Sequence, residues 1–255
     1  MSSVFTKLRQ TKIDFYPAAG QCLAAADEAL CGLRPRIDVS VSAEQAAHSG
    51  HGSRRPDCQR TDSNRKSLER STMNVYINAG HDRKLDSGAV NPRLHLRECD
   101  AAYELSLRIQ QYLEHNGIAV CTGQNDDLYV ICDEANASGC DLFVSIHFNA
   151  FNGRASGTET LISGSIGSLM LGHCIQSNLN AVLNLPNRGL KERPSLFVLR
   201  NTMMPAVVVE VCFIDNDSDW RRYEARLDDA AKAIATGIMQ YPAQMQGAGN
   251  LASAA

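Results

Sequence analysis

The sequence contains no C-x-x-C pair, no internal repeat, no apolar run long enough to cross a bilayer, and no sustained hydrophobic period between residues 34 and 72. Each absence narrows the possibilities. Nine cysteines stand at scattered, odd-numbered count (22, 31, 58, 99, 121, 132, 140, 174 and 212), which fits neither a disulfide framework nor a thiolate zinc site, so they read as reduced thiols. The lack of a repeat excludes tandem modules and solenoids. The lack of a spanning run excludes membrane insertion by a helix. Residues 18–33 are small and partly apolar, but Asp27 and Glu28 interrupt them, so they fail as the apolar centre of a secretion signal.

What is present is the balance of an ordinary globular chain: 255 residues, 44% hydrophobic, 21% charged, formal net charge −3. The charge is unevenly divided. Residues 1–72 carry 11 basic and 8 acidic groups, whereas residues 73–255 carry 14 basic and 20 acidic. The patterned part of the chain is acidic, which argues against nucleic acid as its partner.

Residues 43–72 are rich in Ser, Arg, Asn and Asp with almost no large apolar side chain, and the expectation for 1–72 is a largely disordered extension. Met73 opens the first strongly patterned segment and offers an alternative translational start. From there short apolar runs alternate with helical periods. Candidate strands are 75–77, 118–121, 142–146, 158–162, 195–199 and 206–211. Leu105, Ile109, Tyr112 and Leu113 recur at helical spacing and stop at Asn116-Gly117; further helices are expected over 128–137, 168–183 and 228–239. This alternation predicts an α/β fold: one three-layer domain over 73–241, with a central, mostly parallel, twisted sheet of about six strands flanked by helices. Residues 242–255 read as a flexible tail.

In such folds chemistry gathers beyond the C-terminal ends of the strands. His81 follows the first strand through Asn78-Ala79-Gly80, His147 closes the strand at 142–146, and Glu210 interrupts Val207-Val208-Val209-Glu210-Val211. A carboxylate inside so apolar a strand needs a partner, and a nearby cation is the economical one. Glu98 opens the first helix. Two imidazoles and a carboxylate would leave a fourth tetrahedral position for water, the arrangement of a catalytic zinc site, with Glu210 as proton-transfer group. Taken singly, each histidine is better read as a hydrogen-bonded structural residue, and Glu98 is explained by the helix dipole alone.

Taken together, the segments Val75-Tyr76-Ile77-Asn78-Ala79-Gly80-His81-Asp82, Asp86-Ser87-Gly88-Ala89-Val90, Leu96-Arg97-Glu98, Phe143-Val144-Ser145-Ile146-His147-Phe148-Asn149-Ala150 and Pro205-Ala206-Val207-Val208-Val209-Glu210-Val211-Cys212-Phe213-Ile214-Asp215-Asn216 resemble, in order, the motifs of the zinc-dependent N-acetylmuramoyl-L-alanine amidases of the amidase-3 family. The resemblance covers about residues 73–241. It implies one Zn²⁺ held by His81, Glu98 and His147, with Glu210 as catalytic residue. Two positions depart from the usual motifs: Ala79 stands where the family commonly has Pro, and Cys212 where it usually has Gly.

The implied activity is hydrolysis of the amide between the muramic acid lactyl group and L-alanine, with bacterial peptidoglycan as partner. The similarity continues through Asn187-Arg188-Gly189-Leu190-Lys191 and Leu196-Phe197-Val198-Leu199-Arg200. Arg188, Lys191 and Arg200 are candidates for contacting stem-peptide carboxylates, or solvated surface charges; Asn149 is a candidate substrate or ligand contact, and Asp82 a candidate partner orienting His81. Two rivals remain at this point, a zinc peptidase acting on the stem peptide and a non-catalytic wall-binding module. Without a legible signal segment, the expectation is synthesis in the cytoplasm and action on the wall after release or non-classical export, as for an endolysin or for a bacterial remodelling or sporulation enzyme with another exit route.

Overall fold

The structure, a computed structural model, describes residues 73–252. The extension 1–72, with its expected disorder and the question of the start at Met73, lies outside the described residues, as do 253–255.

The chain begins with β1 (Asn74–Ala79), followed by the short strands β2 (Val90–Asn91) and β3 (Leu96–Arg97), α1 (Glu98–His115), β4 (Ala119–Gly123), α2 (Leu128–Ala137) and β5 (Leu142–Asn149). It continues through β6 (Thr158–Ile162), α3 (Ile166–Leu183), β7 (Asn187–Glu192), α4 (Phe197–Asn201), β8 (Ala206–Phe213), α5 (Asp217–Glu224) and α6 (Leu227–Ala252). Six strands form one sheet in the order β4-β1-β5-β8-β6-β7, and β2 pairs with β3 separately. Strands β4, β1, β5 and β8 run parallel: α1 returns the chain from β1 to β4, α2 from β4 to β5, and the segment with α3 and α4 from β5 to β8. β6 runs antiparallel to β8 and parallel to β7.

Strand side chains alternate between faces, and that divides the core in two. Val75, Ile77, Val144, Ile146, Val207 and Val209 point to one face, against Leu105, Ile109 and Leu113 of α1, Leu171, Ile175 and Leu179 of α3, and Ile234 and Ile238 of α6. Tyr76, Phe143 and Val208 point to the other, covered by Ile131, Cys132 and Ala135 of α2 and by Val198 and Leu199 of α4. The result is the three-layer α/β arrangement expected from the sequence.

Three elements differ from the sequence reading. Residues 195–199 do not make a strand: Phe197–Asn201 is helix α4, and the edge strand is β7 upstream. An apolar run as short as Leu196-Phe197-Val198-Leu199 carries no period that separates helix from strand, while the polar β7 is held by pairing with β6 rather than by burial. Helix α5 was not anticipated; Asn216 caps it, accepting from the backbone N–H of Ser218 and Asp219, and it buries Trp220 and Tyr223. The last helix runs through Pro242 to Ala252 instead of ending before a tail. Proline removes one helical hydrogen bond, but the Ala, Gln and Met residues after it favour helix.

Candidate metal centre

Residues 78, 145, 147 and 210 lie on the sheet face covered lower down by α2 and α4, because they alternate with Ile77, Ile146 and Val209 of the opposite core. Below the site Ser145 Oγ donates to Asn78 Oδ1 at 2.7 Å, and Asn78 Nδ2 donates to the carbonyl of Gly123 at 3.3 Å. This buried polar pair ties β5, β1 and β4 together just beneath the histidines.

His81 sits past the end of β1 with φ of 62°, a conformation uncommon for a residue with a Cβ. Glu98 reaches it from the start of α1, whose first amide donates to the carbonyl of Ala89 at 2.8 Å. Glu98 is 2% exposed and its carboxylate lies between the two imidazoles: His81 Nε2 at 3.0 Å from Oε2, and His147 Nδ1 at 2.9 Å from Oε1. The backbone N–H of Ala89 donates to Oε2 at 2.8 Å and that of Phe148 to Oε1 at 3.0 Å. Burial alone would raise the Glu98 pKa, but the hydrogen bonds and charges of His147 and His81 outweigh it and hold the carboxyl below its usual range. Burial opposes protonation of His81 as well, yet Glu98 and Asp86 prevail and raise its pKa to about 9.

The glycines flanking the site make room for these rings. A Cβ on Gly80 would stand 2.6 Å from His147 Nε2 and 2.7 Å from its Nδ1. One on Gly88, where φ is +63°, would stand 2.5 Å from His81 Cδ2 and 2.6 Å from Glu98 Oε2. Gly80 is therefore needed for close approach of an imidazole.

His81, Glu98 and His147 each offer a ligand atom, all within 4.8 Å of one another. Four-coordinate zinc with ligands at about 2.1 Å separates its donor atoms by roughly 3.4 Å, so small adjustments of these side chains suffice. Two imidazole nitrogens and a carboxylate oxygen are the donor chemistry zinc prefers in open sites. Glu210 fits the same picture from the other side. It is buried, and its Oε2 has no hydrogen-bond partner among the described residues. Burial, reinforced by the charges of Glu98 and Glu159, pushes its pKa well above the ordinary carboxylate value. A cation held by the neighbouring triad would relieve that cost.

The profile of the amidase-3 family, described as N-acetylmuramoyl-L-alanine amidase, matches residues 75–240. The chain belongs to this family. The amidase domain is 36% identical over 176 residues to the uncharacterized protein YqiI of Bacillus subtilis (strain 168), covering 66% of this chain and 84% of that one. It is 32% identical over 177 residues to the N-acetylmuramoyl-L-alanine amidase LytC of the same organism, covering 66% of this chain but 35% of LytC. Among solved structures, the N-acetylmuramoyl-L-alanine amidase from Clostridium difficile 630 superposes with a TM-score of 0.63 at 27% identity, covering 67% of this chain and 96% of that one.

Of the other amidase residues expected from sequence, Asp82 does not touch His81. Its Oδ1 accepts from the amides of Lys84 and Leu85 at 2.8 and 2.9 Å, capping a turn, and the partner of His81 is Asp86, whose Oδ2 lies 2.7 Å from Nδ1. The turn itself decides this, since Asp82 and Asp86 pair through their backbones and leave Asp86 nearer the ring. Asn149 and Arg188 meet at Glu159, which takes Asn149 Nδ2 at 2.9 Å on one oxygen and Arg188 Nε at 2.8 Å on the other. Lys191 pairs in register with Leu161, two residues along β6 from Glu159 and so about 7 Å farther down the sheet. Arg200 lies in the last turn of α4, in the covering layer. Glu159 did not stand out in the sequence, because Thr158 and Thr160 flank it instead of the apolar residues that marked Glu210. The six described cysteines are free, and Cys212 is fully buried in the core.

Proposed function

We propose that the domain hydrolyses the amide between the muramic acid lactyl group and L-alanine of peptidoglycan, with one zinc ion held by His81, Glu98 and His147. The observation that supports this most directly is the convergence of two imidazoles and one carboxylate beside a buried carboxyl, Glu210, whose Oε2 has no hydrogen-bond partner among the described residues. A bound zinc supplies Lewis acidity that acidifies water and polarises the scissile carbonyl. The chain's own residues do the rest. Asp86 and Glu98 fix the orientation of His81, and Glu98 with the amide of Phe148 fixes the His147 end of the site. Glu210, with its raised pKa, accepts a proton from the attacking water and returns it to the departing alanine nitrogen.

The test is product analysis of digested peptidoglycan. Free muramic lactyl groups together with intact stem peptides starting at L-alanine are expected, with activity lost to a chelator and restored by Zn²⁺. Cuts within the stem peptide instead would establish a peptidase. Zinc binding with no cut at all would establish a wall-binding module.

A further inference from the structure

Across the sheet the order of strands sets an order of groups: His147 on β5, Glu210 on β8, Glu159 on β6 and Arg188 on β7. Glu210 thus has the histidine side of the site to one side and the Glu159–Arg188 pair to the other. If Glu210 protonates the departing nitrogen, the Glu159–Arg188 pair stands on the side of that nitrogen away from the histidines, open to the peptide that leaves with it.

Arg188 is built into place. Its Nε donates to the buried Glu159 at 2.8 Å, and its guanidinium carbon lies 5.1 Å from the centroid of the Phe213 ring. Gly157 leaves space for its stem: φ there is +123°, and a Cβ would stand 2.9 Å from Arg188 Cγ and Cδ and collide with the carbonyl of Pro186. Glu159 is held in turn by Asn149. Among the described residues, no hydrogen bond engages the terminal nitrogens of Arg188, and its side chain is 40% exposed. A guanidinium fixed along one edge and one face, with its terminal N–H groups open, is a pre-organised receptor for a planar anion, unlike a mobile surface arginine.

We propose that Arg188 is a specificity residue that binds the free α-carboxylate of the stem-peptide residue following L-alanine. This rests on the amidase reading of the site. That second residue is joined through its side-chain carboxyl, so its α-carboxyl is either free or amidated, and a guanidinium distinguishes the two. The span from β8 to β7 is two strand spacings, about 10 Å, which the arginine shortens by reaching back to Glu159 on β6.

The experiment compares zinc-loaded full-length protein on N-acetylmuramoyl-L-alanyl-D-isoglutamate and on its isoglutamine amide, with zinc content measured for every variant. Wild type is expected to prefer the acid by about tenfold in kcat/KM, expressed mainly in KM, as for loss of one charge-assisted contact. Arg188→Gln should bring the ratio to about one, and Arg188→Lys should restore part of it. Glu159→Gln should weaken the preference by loosening the guanidinium. Because the ratio is taken within each variant, partial misfolding does not mimic the result. Equal cleavage of both substrates by wild type, or an unchanged ratio in Arg188→Gln, would overturn the proposal. Failure of wild type to cut either substrate or whole peptidoglycan would overturn the amidase reading, and the proposal with it.

Discussion

Glu159 and Glu210 stand directly opposite each other across the antiparallel β6·β8 pair, and the two carboxylates are treated differently. Glu159 is satisfied on both oxygens by Asn149 and Arg188, whereas Glu210 Oε2 has no partner among the described residues. Like charges directly opposite on a sheet repel. The arginine neutralises one of them, while the other carboxyl stays without a partner on Oε2 among the described residues.

Replacing Glu210 should separate chemistry from metal binding. Glu210→Gln is expected to keep stoichiometric zinc and lose at least about a hundredfold in turnover, the scale of a general acid–base contribution. Turnover within a few-fold of wild type at full zinc occupancy would remove Glu210 from the mechanism.

The same substitution has a signature in the metal-free protein. A carboxyl whose folded pKa is raised above its ordinary 4.5 stabilises the fold below that value and loses the contribution as pH rises through the folded pKa. Metal-free wild type should therefore lose more stability between pH 5 and pH 8 than metal-free Glu210→Gln. Denaturant titrations at the two pH values measure the difference, and parallel losses would contradict it.

His81 contributes with the same sign in a higher window. Its pKa is raised from 6.5 to about 9, so its stabilisation of the metal-free fold is complete below pH 6.5 and lost as pH rises through about 9. The loss is on the order of 3 kcal/mol. Asp86→Asn should flatten the decline, since it removes one of the two carboxylates that hold the proton; denaturation midpoints between pH 6 and pH 9.5 report it.

Asp86 and Asp82 should behave differently toward zinc. Asp86→Asn weakens the hydrogen bond that orients His81 and is expected to lower zinc affinity by about 10- to 100-fold, the usual cost of losing such a support. Asp82→Asn should change affinity little, because Asp82 serves a turn. Competition with a fluorescent chelator ranks the two, and equal losses would show that the turn as a whole, not Asp86, positions the ring.

Gly80→Ala tests the packing directly. Its Cβ would press on the His147 ring, so zinc occupancy and activity should fall together while the circular dichroism spectrum persists. Full zinc occupancy in this variant would show that the imidazole can move aside.

Much of the fold and part of the site are encoded in local pattern along the chain. The apolar runs of β1, β5, β6 and β8 and the helical periods of α1, α2 and α3 placed most of the layers. His81, His147 and Glu210 stood out as polar interruptions at strand ends, and the motif resemblance supplied Glu98. Tertiary structure decided what depends on partners distant in the chain. β7 is a strand because β6 pairs with it, and 197–201 is a helix because Val198 and Leu199 pack beneath the sheet. Asp86 rather than Asp82 holds His81 because a tight turn turns one inward. Gly80 is constrained by a ring 67 residues away in sequence, and Glu159 and Arg188 acquire a role only when β6 and β7 are laid beside Glu210. Periodicity is a property of neighbours along the chain, while steric room, ion pairing and a carboxylate's lack of a partner arise only between elements once they are packed.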